Sequence, residues 1–555
     1  MYILTLITAF ITFLAIGNSA MAPPQTLLMS AFPPPGVSAF GNFTPNGTSV
    51  SVSVKSTAQE SSLFDFHFTG AGLNTSAGST NRVTGDSVFR IGSISKLFTV
   101  YAHLLHNGLD RWEQPITNYV PELLDYARKF GNGSRIDNVN WEEVTVGALA
   151  SQMSGIGANY ALGDISGSSL PFSQYGFPKL DPTDIPTCGA EPTQPPCSRE
   201  VYLQGFVKRH PVFASQYTPV YSNTAFHILG YALEAIAGDT YENILQRDVF
   251  RPLDLNNSGT HTPRAGLGVI PPDAMEWDTN IGDETPSGGI YSSANDLVNF
   301  GRNILLSTQL PPLVTRRWLK PLAHTSALTF SVGAPWEIYR TMSNITTGRI
   351  IDVYTKSGGY GSYACLLILI PDYEISISIL TAGPNGIVVN YVSEMIIQTL
   401  IPALEKSAKE EAAKILTGLY TSETGGNSSI SLTVDDGPGL VVESWTSNSS
   451  NLLQTAEEYL QATGGGHINS MRLYPTGLKD SQICQNQAAY RAVFDLSTEP
   501  GSTPRVFDQN VNAWENIDEV TYGEISIDDF VFEFDSSGAV MHIEPRILRS
   551  TLVKV

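Results

Sequence analysis

Basic residues are scarce in this chain: 32 Lys and Arg stand against 53 Asp and Glu, a net charge of -21. Nucleic acids and anionic lipid surfaces are bound by clustered cations, so this balance argues against both as partners. Cysteine is scarce too, with Cys188, Cys197, Cys365 and Cys484 the full set. Four in 555 residues exclude a disulfide-dense scaffold, and none has zinc-finger spacing. His103 and His106 share a helical face without a third ligand and read as structural. No His-Glu-x-x-His, phosphate-loop or Gly-x-Ser-x-Gly pattern occurs, so no metal or organic cofactor is implied. Internal repeats and long low-complexity tracts are absent as well.

Long apolar runs are missing except at the start. Ile3 to Ile16 is followed by the small residues Gly17, Ser19, Ala20 and Ala22, the pattern of a signal peptide over residues 1–20. The run is too short to span a bilayer comfortably, so no membrane association is expected after cleavage. Secretion gives meaning to eight Asn-x-Ser/Thr sequons, at Asn42, Asn46, Asn74, Asn132, Asn256, Asn344, Asn427 and Asn448. It also makes a disulfide between Cys188 and Cys197, which bracket a short Pro-rich loop, the expected pairing. Cys365 lies in an apolar strand and reads as a buried hydrophobe; Cys484 has no assignment.

What is present is a globular composition, 42% hydrophobic and 15% charged. After a Pro-rich extension over residues 21–48, alternation predicts strands at Ser49 to Lys55 and Leu63 to Phe68. Helices are expected after Ser93 and over Asn223 to Ala237, the second stopped by Gly238. Leu162 to Ser198 has little periodicity and reads as a long insertion, a candidate lid. A hairpin follows at Cys365 to Ile370 and Glu374 to Thr381, then a helix from Val388 to Leu400. Residues 405–417 read as a separate helical linker, and residues 418–555 as a β-rich domain, a small barrel or sandwich.

Three segments carry chemistry. Ser93 and Lys96 are spaced so that a lysine amine reaches a serine hydroxyl at the start of a helix. A neutral, desolvated lysine there can take the serine proton, and the Ser93 N–H can hold an oxyanion. Tyr221 and Asn223 lie two apart in an extended turn, a phenol to shuttle a proton and an amide to bind a substrate carbonyl. Lys356-Ser357-Gly358-Gly359 adds a positive charge and glycines that admit close backbone approach, with the Gly359 N–H as a second oxyanion donor.

In this order the segments resemble the three motifs of the serine β-lactamase and penicillin-binding-protein superfamily. Tyr221-x-Asn223 points to its class C β-lactamase, D-alanyl-D-alanine carboxypeptidase and esterase branch, most like secreted fungal β-lactamase-like proteins. Leu149 to Ile156, Tyr221 to Leu233, Arg251 to Leu253 and Pro286 to Leu297 resemble further family segments, although Gln152 departs from the pattern of the first. The resemblance implies an α/β, β-lactamase/transpeptidase-like fold over residues 49–404: an antiparallel sheet flanked by helices, plus an all-helical lobe. It implies Ser93 as nucleophile, Lys96 as base and Tyr221 as its assistant. Asn223, Lys356, Ser357, Gly358 and Gly359 would contact substrate, a small-molecule or peptide ester or amide, with Lys356 holding a substrate carboxylate or tuning Tyr221. The expected activity is a secreted serine hydrolase working through an acyl-Ser93 intermediate. Two alternatives are acyl transfer, as a transesterase or peptide cyclase in natural-product assembly, and a non-catalytic binding protein on the same fold.

Overall fold

The computed structural model describes residues 47–73, 78–167, 172–189, 194–272, 274–342, 349–423, 427–462, 467–480, 486–497 and 514–555, together with two short strands at Val37–Ser38 and Gly41–Asn42. The expected signal peptide, most of the N-terminal extension, Asn46, Asn74, Asn344 and Cys484 lie outside these residues, as does the side chain of Asn42. The described residues fall into two compact units, one within Leu14–Thr341 and Ile350–Thr399, the other within Leu400–Val555 together with Met342 and Arg349.

The first unit is a mixed sheet-and-helix body. Its chain starts with β1 (Ser49–Ser56) and β2 (Phe64–Phe68), then turns helical through α1 (Ser95–Asn107), α2 (Asn223–Ala237) and α3 (Ala294–Leu306). It returns to strands with β3 (Ala323–His324), β4 (Phe330–Val332), β5 (Glu337–Met342), β6 (Ile350–Tyr360), β7 (Tyr363–Ile370) and β8 (Ile375–Ala382). The eight strands form one sheet in the order β2-β1-β8-β7-β6-β5-β4-β3. β8 is buried along its whole length, as its run of β-branched and apolar residues requires of a central strand. α3 packs against it so closely that a Cβ on Gly301 would lie 2.2 Å from Ser376 Oγ. Local chemistry sets the helix ends. Ser222 caps α2 by accepting from the Ala225 N–H, and Gly238 ends it in the left-handed region at φ +68°. Ser293 caps α3 in the same way through the Asp296 N–H.

Where separate helices are expected on either side of residue 402, the structure has one, α4 (Val388–Ile415), with Pro402 inside it. Proline removes one hydrogen bond, and the Ala-, Glu- and Lys-rich stretch after it has enough helix propensity to carry on. No distinct linker helix therefore exists at residues 405–417. The described part of the 162–198 insertion consists of short 3-10 turns at Ile165–Gly167, Phe172–Tyr175 and Pro182–Asp184 and a disulfide joining Cys188 to Cys197.

The second unit is a closed barrel. After α4 come β9 (Gly418–Thr421), β10 (Ser429–Thr433), β11 (Leu440–Ser447), α5 (Leu452–Ala462), β12 (His467–Asp480), β13 (Gln487–Ser497), β14 (Asp529–Phe534), β15 (Val540–Pro545) and β16 (Leu552–Lys554). The order β10-β9-β16-β15-β14-β13-β12-β11 closes because β11 also pairs with β10. Closure removes the exposed edges of an open sheet. Tyr420, Leu432, Trp445, Leu473, Phe530 and Phe532 fill the interior.

Candidate active site

Ser93 does not lie within α1 but in a 3-10 turn, Gly92–Ile94, that leads into it. In such a turn residues three apart eclipse one another, which suits a Ser-x-x-Lys pair. Gly92 takes φ +51°, and a Cβ there would meet the Gly359 N at 2.6 Å. A Cβ on Gly358 would lie 2.0 Å from the Ile91 carbonyl oxygen and 3.0 Å from the Ser93 N. Only glycines let β6 pass this close to the serine turn. Gly359 itself is exposed beside it.

Two donors converge on Ser93 Oγ. The Lys96 ammonium donates over 2.9 Å and the Tyr221 hydroxyl over 2.7 Å. Lys96 is fully buried and donates also to Asn223 Oδ1 (2.7 Å) and the Ser287 carbonyl (2.5 Å). Burial pushes its pKa down to about 8; the Tyr221 phenol opposes the fall and the Lys356 charge adds to it. Burial pushes the Tyr221 phenol up, but the charges of Lys96 and then Lys356 outweigh it, so its pKa falls below the ordinary tyrosine value. The two ammonium nitrogens stand 5.0 and 5.3 Å from the Tyr221 ring centre. Lys356, equally buried, goes the other way: burial would lower its pKa, but the Glu337 carboxylate and Tyr221 raise it.

Motif reading does not find three of the groups that hold this arrangement. Glu337 on β5 binds Lys356 Nζ (2.5 Å) and accepts from the Ser357 hydroxyl (3.1 Å) through one oxygen, and from the Ser357 N–H (2.8 Å) through the other. Asn159 accepts from Asn223 Nδ2 over 2.8 Å, so both ends of the Asn223 amide are engaged. Gln152, at φ +64°, accepts from the Val220 N–H through its carbonyl (2.9 Å) and from the Ser222 N–H through Oε1 (2.7 Å). It thus grips the chain on both sides of Tyr221. The departure from the family pattern at residue 152 is therefore an anchor. Its only advance signal is the break in a segment that otherwise fits.

Ser93, Lys96, Tyr221, Asn223, Lys356, Ser357, Gly358 and Gly359 are all brought together. Cys365 is buried and free, and burial pushes its thiol up to about 12. His103 and His106 bond to the Leu229 carbonyl and to Asp248, and no cluster of metal-ligating groups exists among the described residues.

Residues 65–391 match the model of the β-lactamase family, and residues 408–555 that of a "Beta-lactamase-like-like, C-terminal domain". A β-lactamase-like protein of the fungus Arthroderma benhamiae is 32% identical over 86% of this chain and 82% of its own length. A probable hydrolase of Phoma is 26% identical over 89% of this chain and 83% of its own. Another, from Cochliobolus lunatus, is 26% identical over 93% of this chain and 86% of its own.

Proposed function

The chain belongs to the β-lactamase family of serine hydrolases, and from that premise we propose that it is a secreted hydrolase that cleaves an ester or amide through an acyl-Ser93 intermediate. One observation carries the reading: Lys96 Nζ and Tyr221 Oη both lie within hydrogen-bond distance of Ser93 Oγ. Both are drawn as donors, so acylation begins when one of them has lost its proton. Lys96 is that group. With a pKa of about 8, roughly a tenth of it is neutral at pH 7.

Neutral Lys96 takes the Oγ proton as Oγ bonds the substrate carbonyl carbon. The Ser93 and Gly359 N–H groups face the developing oxyanion. Tyr221 passes a proton to the leaving oxygen or nitrogen as its bond to carbon breaks. In the second half a water attacks the acyl carbon as Tyr221 takes its proton, the acyl carbon–Oγ bond breaks, and Lys96 returns the proton to Oγ. Secretion is supported by the N-terminal apolar run and by the exposure of Asn132, Asn256, Asn427 and Asn448, the sequon asparagines whose side chains are described.

The test is to incubate the protein and Ser93→Ala with a neutral activated acyl ester and locate the adduct by peptide mass spectrometry. An acyl group on the Ser93 peptide, absent from the variant, is expected. Equal turnover by folded Ser93→Ala would refute the mechanism.

A further inference from the structure

A lysine followed by a hydroxyl residue on the strand beside a serine nucleophile is a ready-made receptor for a substrate carboxylate: one ammonium, one hydroxyl and one backbone N–H. In this chain that receptor is already filled. Glu337 takes the Lys356 ammonium, the Ser357 hydroxyl and the Ser357 N–H together. Lys356 gives a further bond to the Ser357 carbonyl (2.8 Å), and the Tyr221 ring lies on its remaining side. Two of the three ammonium protons and the one hydroxyl proton are thus committed, and the third ammonium proton lies against Tyr221.

We propose that Glu337 makes this subsite reject carboxylates, and that the substrate carries an uncharged group on the side of the scissile bond that meets Ser357. The inference rests on the acyl-Ser93 reading above. Lys356 and Glu337 cancel as a salt bridge, Lys356 being 1% and Glu337 19% exposed. A substrate carboxylate seated on Ser357 would meet the Glu337 charge at contact, where like charges repel most. The cation on β5, Arg340, falls on the strand face opposite Glu337 by alternation and is paired with Asp352 at 3.0 Å. Tyr339, which shares the Glu337 face, is exposed and adds an aromatic wall.

Two aryl esters of one neutral acyl group test this. One releases 3-hydroxybenzamide and the other 3-hydroxybenzoate. In each, Ser93 Oγ forms a bond to the acyl carbon, the carbon–phenoxy bond breaks, and the phenoxide leaves with the serine proton. Wild-type protein is expected to favour the benzamide ester by at least about tenfold in kcat/KM. Glu337→Gln keeps the acceptor for the Ser357 N–H and frees the lysine charge, so it is expected to erase or reverse that preference, mainly through KM for the benzoate ester. A wild-type ratio near one, or a ratio unchanged in folded Glu337→Gln, overturns the inference. The wild-type comparison needs no variant to fold. Failure of both esters to turn over above Ser93→Ala would instead sink the hydrolase reading. Charge preference is then read by NMR titration with the two free phenols. Weaker binding of the benzoate upholds the inference, and equal binding overturns it.

Discussion

Gln152→Met removes one amide and leaves the catalytic groups untouched, so it asks how far the site depends on its support. Gln152 Oε1 is the acceptor for the Ser222 N–H at 2.7 Å, and Ser222 is fully buried. Methionine has similar volume and no strong acceptor, so the N–H is orphaned at a cost of about 1–3 kcal/mol. A partial offset comes from Gln152 Nε2, which is buried without a partner and disappears in the same substitution. The net cost falls between about 0 and 2 kcal/mol, and the chain can meet it in two ways. Residues 220–223 stay in place and the melting temperature falls, or they shift to satisfy the Ser222 N–H and Tyr221 Oη leaves Ser93. In the second case kcat drops by about tenfold or more with KM nearly constant, because proton transfer is lost rather than binding. The assay pairs thermal denaturation with steady-state kinetics on the neutral aryl ester. Tyr221→Phe in the Gln152→Met background should then cost less than in wild type, since the two act on one step. Unchanged melting together with unchanged kcat, or full additivity of the two substitutions where Gln152→Met does lower kcat, would refute the anchoring role.

The pH dependence of acylation should follow Lys96. Its rate should rise with pH through about 8 as the buried ammonium loses its proton, and Lys96→Ala should lower it by about 10²–10⁴-fold; a flat profile from pH 6 to 9 would exclude lysine as the base. The same depressed value means the folded state binds fewer protons than the unfolded chain between about 8 and the ordinary lysine value of 10.5, so this group's contribution to stability grows across that window. Gly358→Ala places a methyl 2.0 Å from the Ile91 carbonyl oxygen. It should cost about 1–3 kcal/mol in denaturant unfolding and abolish ester turnover by driving β6 off the serine turn.

Legibility in the sequence followed the range of each interaction. Ser93 with Lys96, and Tyr221 with Asn223, are short-range patterns at the start of a helix, where spacing and capping chemistry leave few geometries. The strands of the hairpin and the stop at Gly238 are equally local. Glu337 was out of reach because its partners lie 19 and 20 residues on and meet it only where β5 lies beside β6. No spacing rule joins a carboxylate to a lysine across strands whose register is unknown. Gln152 was visible as an anomaly but not as an anchor, since its role depends on a left-handed backbone and on a segment almost seventy residues away, its |i−j| to Ser222 being 70. The barrel followed the same rule. Its strands alternate visibly, but closure depends on the β10–β11 pairing and on bulges between Ser431 and Leu432 and between Pro475 and Lys479.

The site's two lysines are managed in opposite ways, and that division separates reaction from selection. Lys96 is stripped of water and poised to lose its charge, which equips it to move a proton. Lys356 is held charged by Glu337, and of the pair it is the carboxylate, not the buried ammonium, that a ligand meets. Covalent chemistry therefore resides in the serine turn and α1, which carry Ser93 and Lys96, and in the segment before α2 that carries Tyr221, whereas β5 decides what may approach. The chain's overall charge of -21 also disfavours anions, but by a different law. A diffuse field acts through water and is screened beyond about 10 Å at 0.1 M salt. The Glu337 carboxylate, 19% exposed, acts at contact, well inside a Debye length, where added salt does little. If the overall field set the preference for uncharged substrates, that preference would fade as salt is raised. A preference set by Glu337 survives high salt and vanishes with one substitution, so the two causes lead to different experiments on the same ester pair.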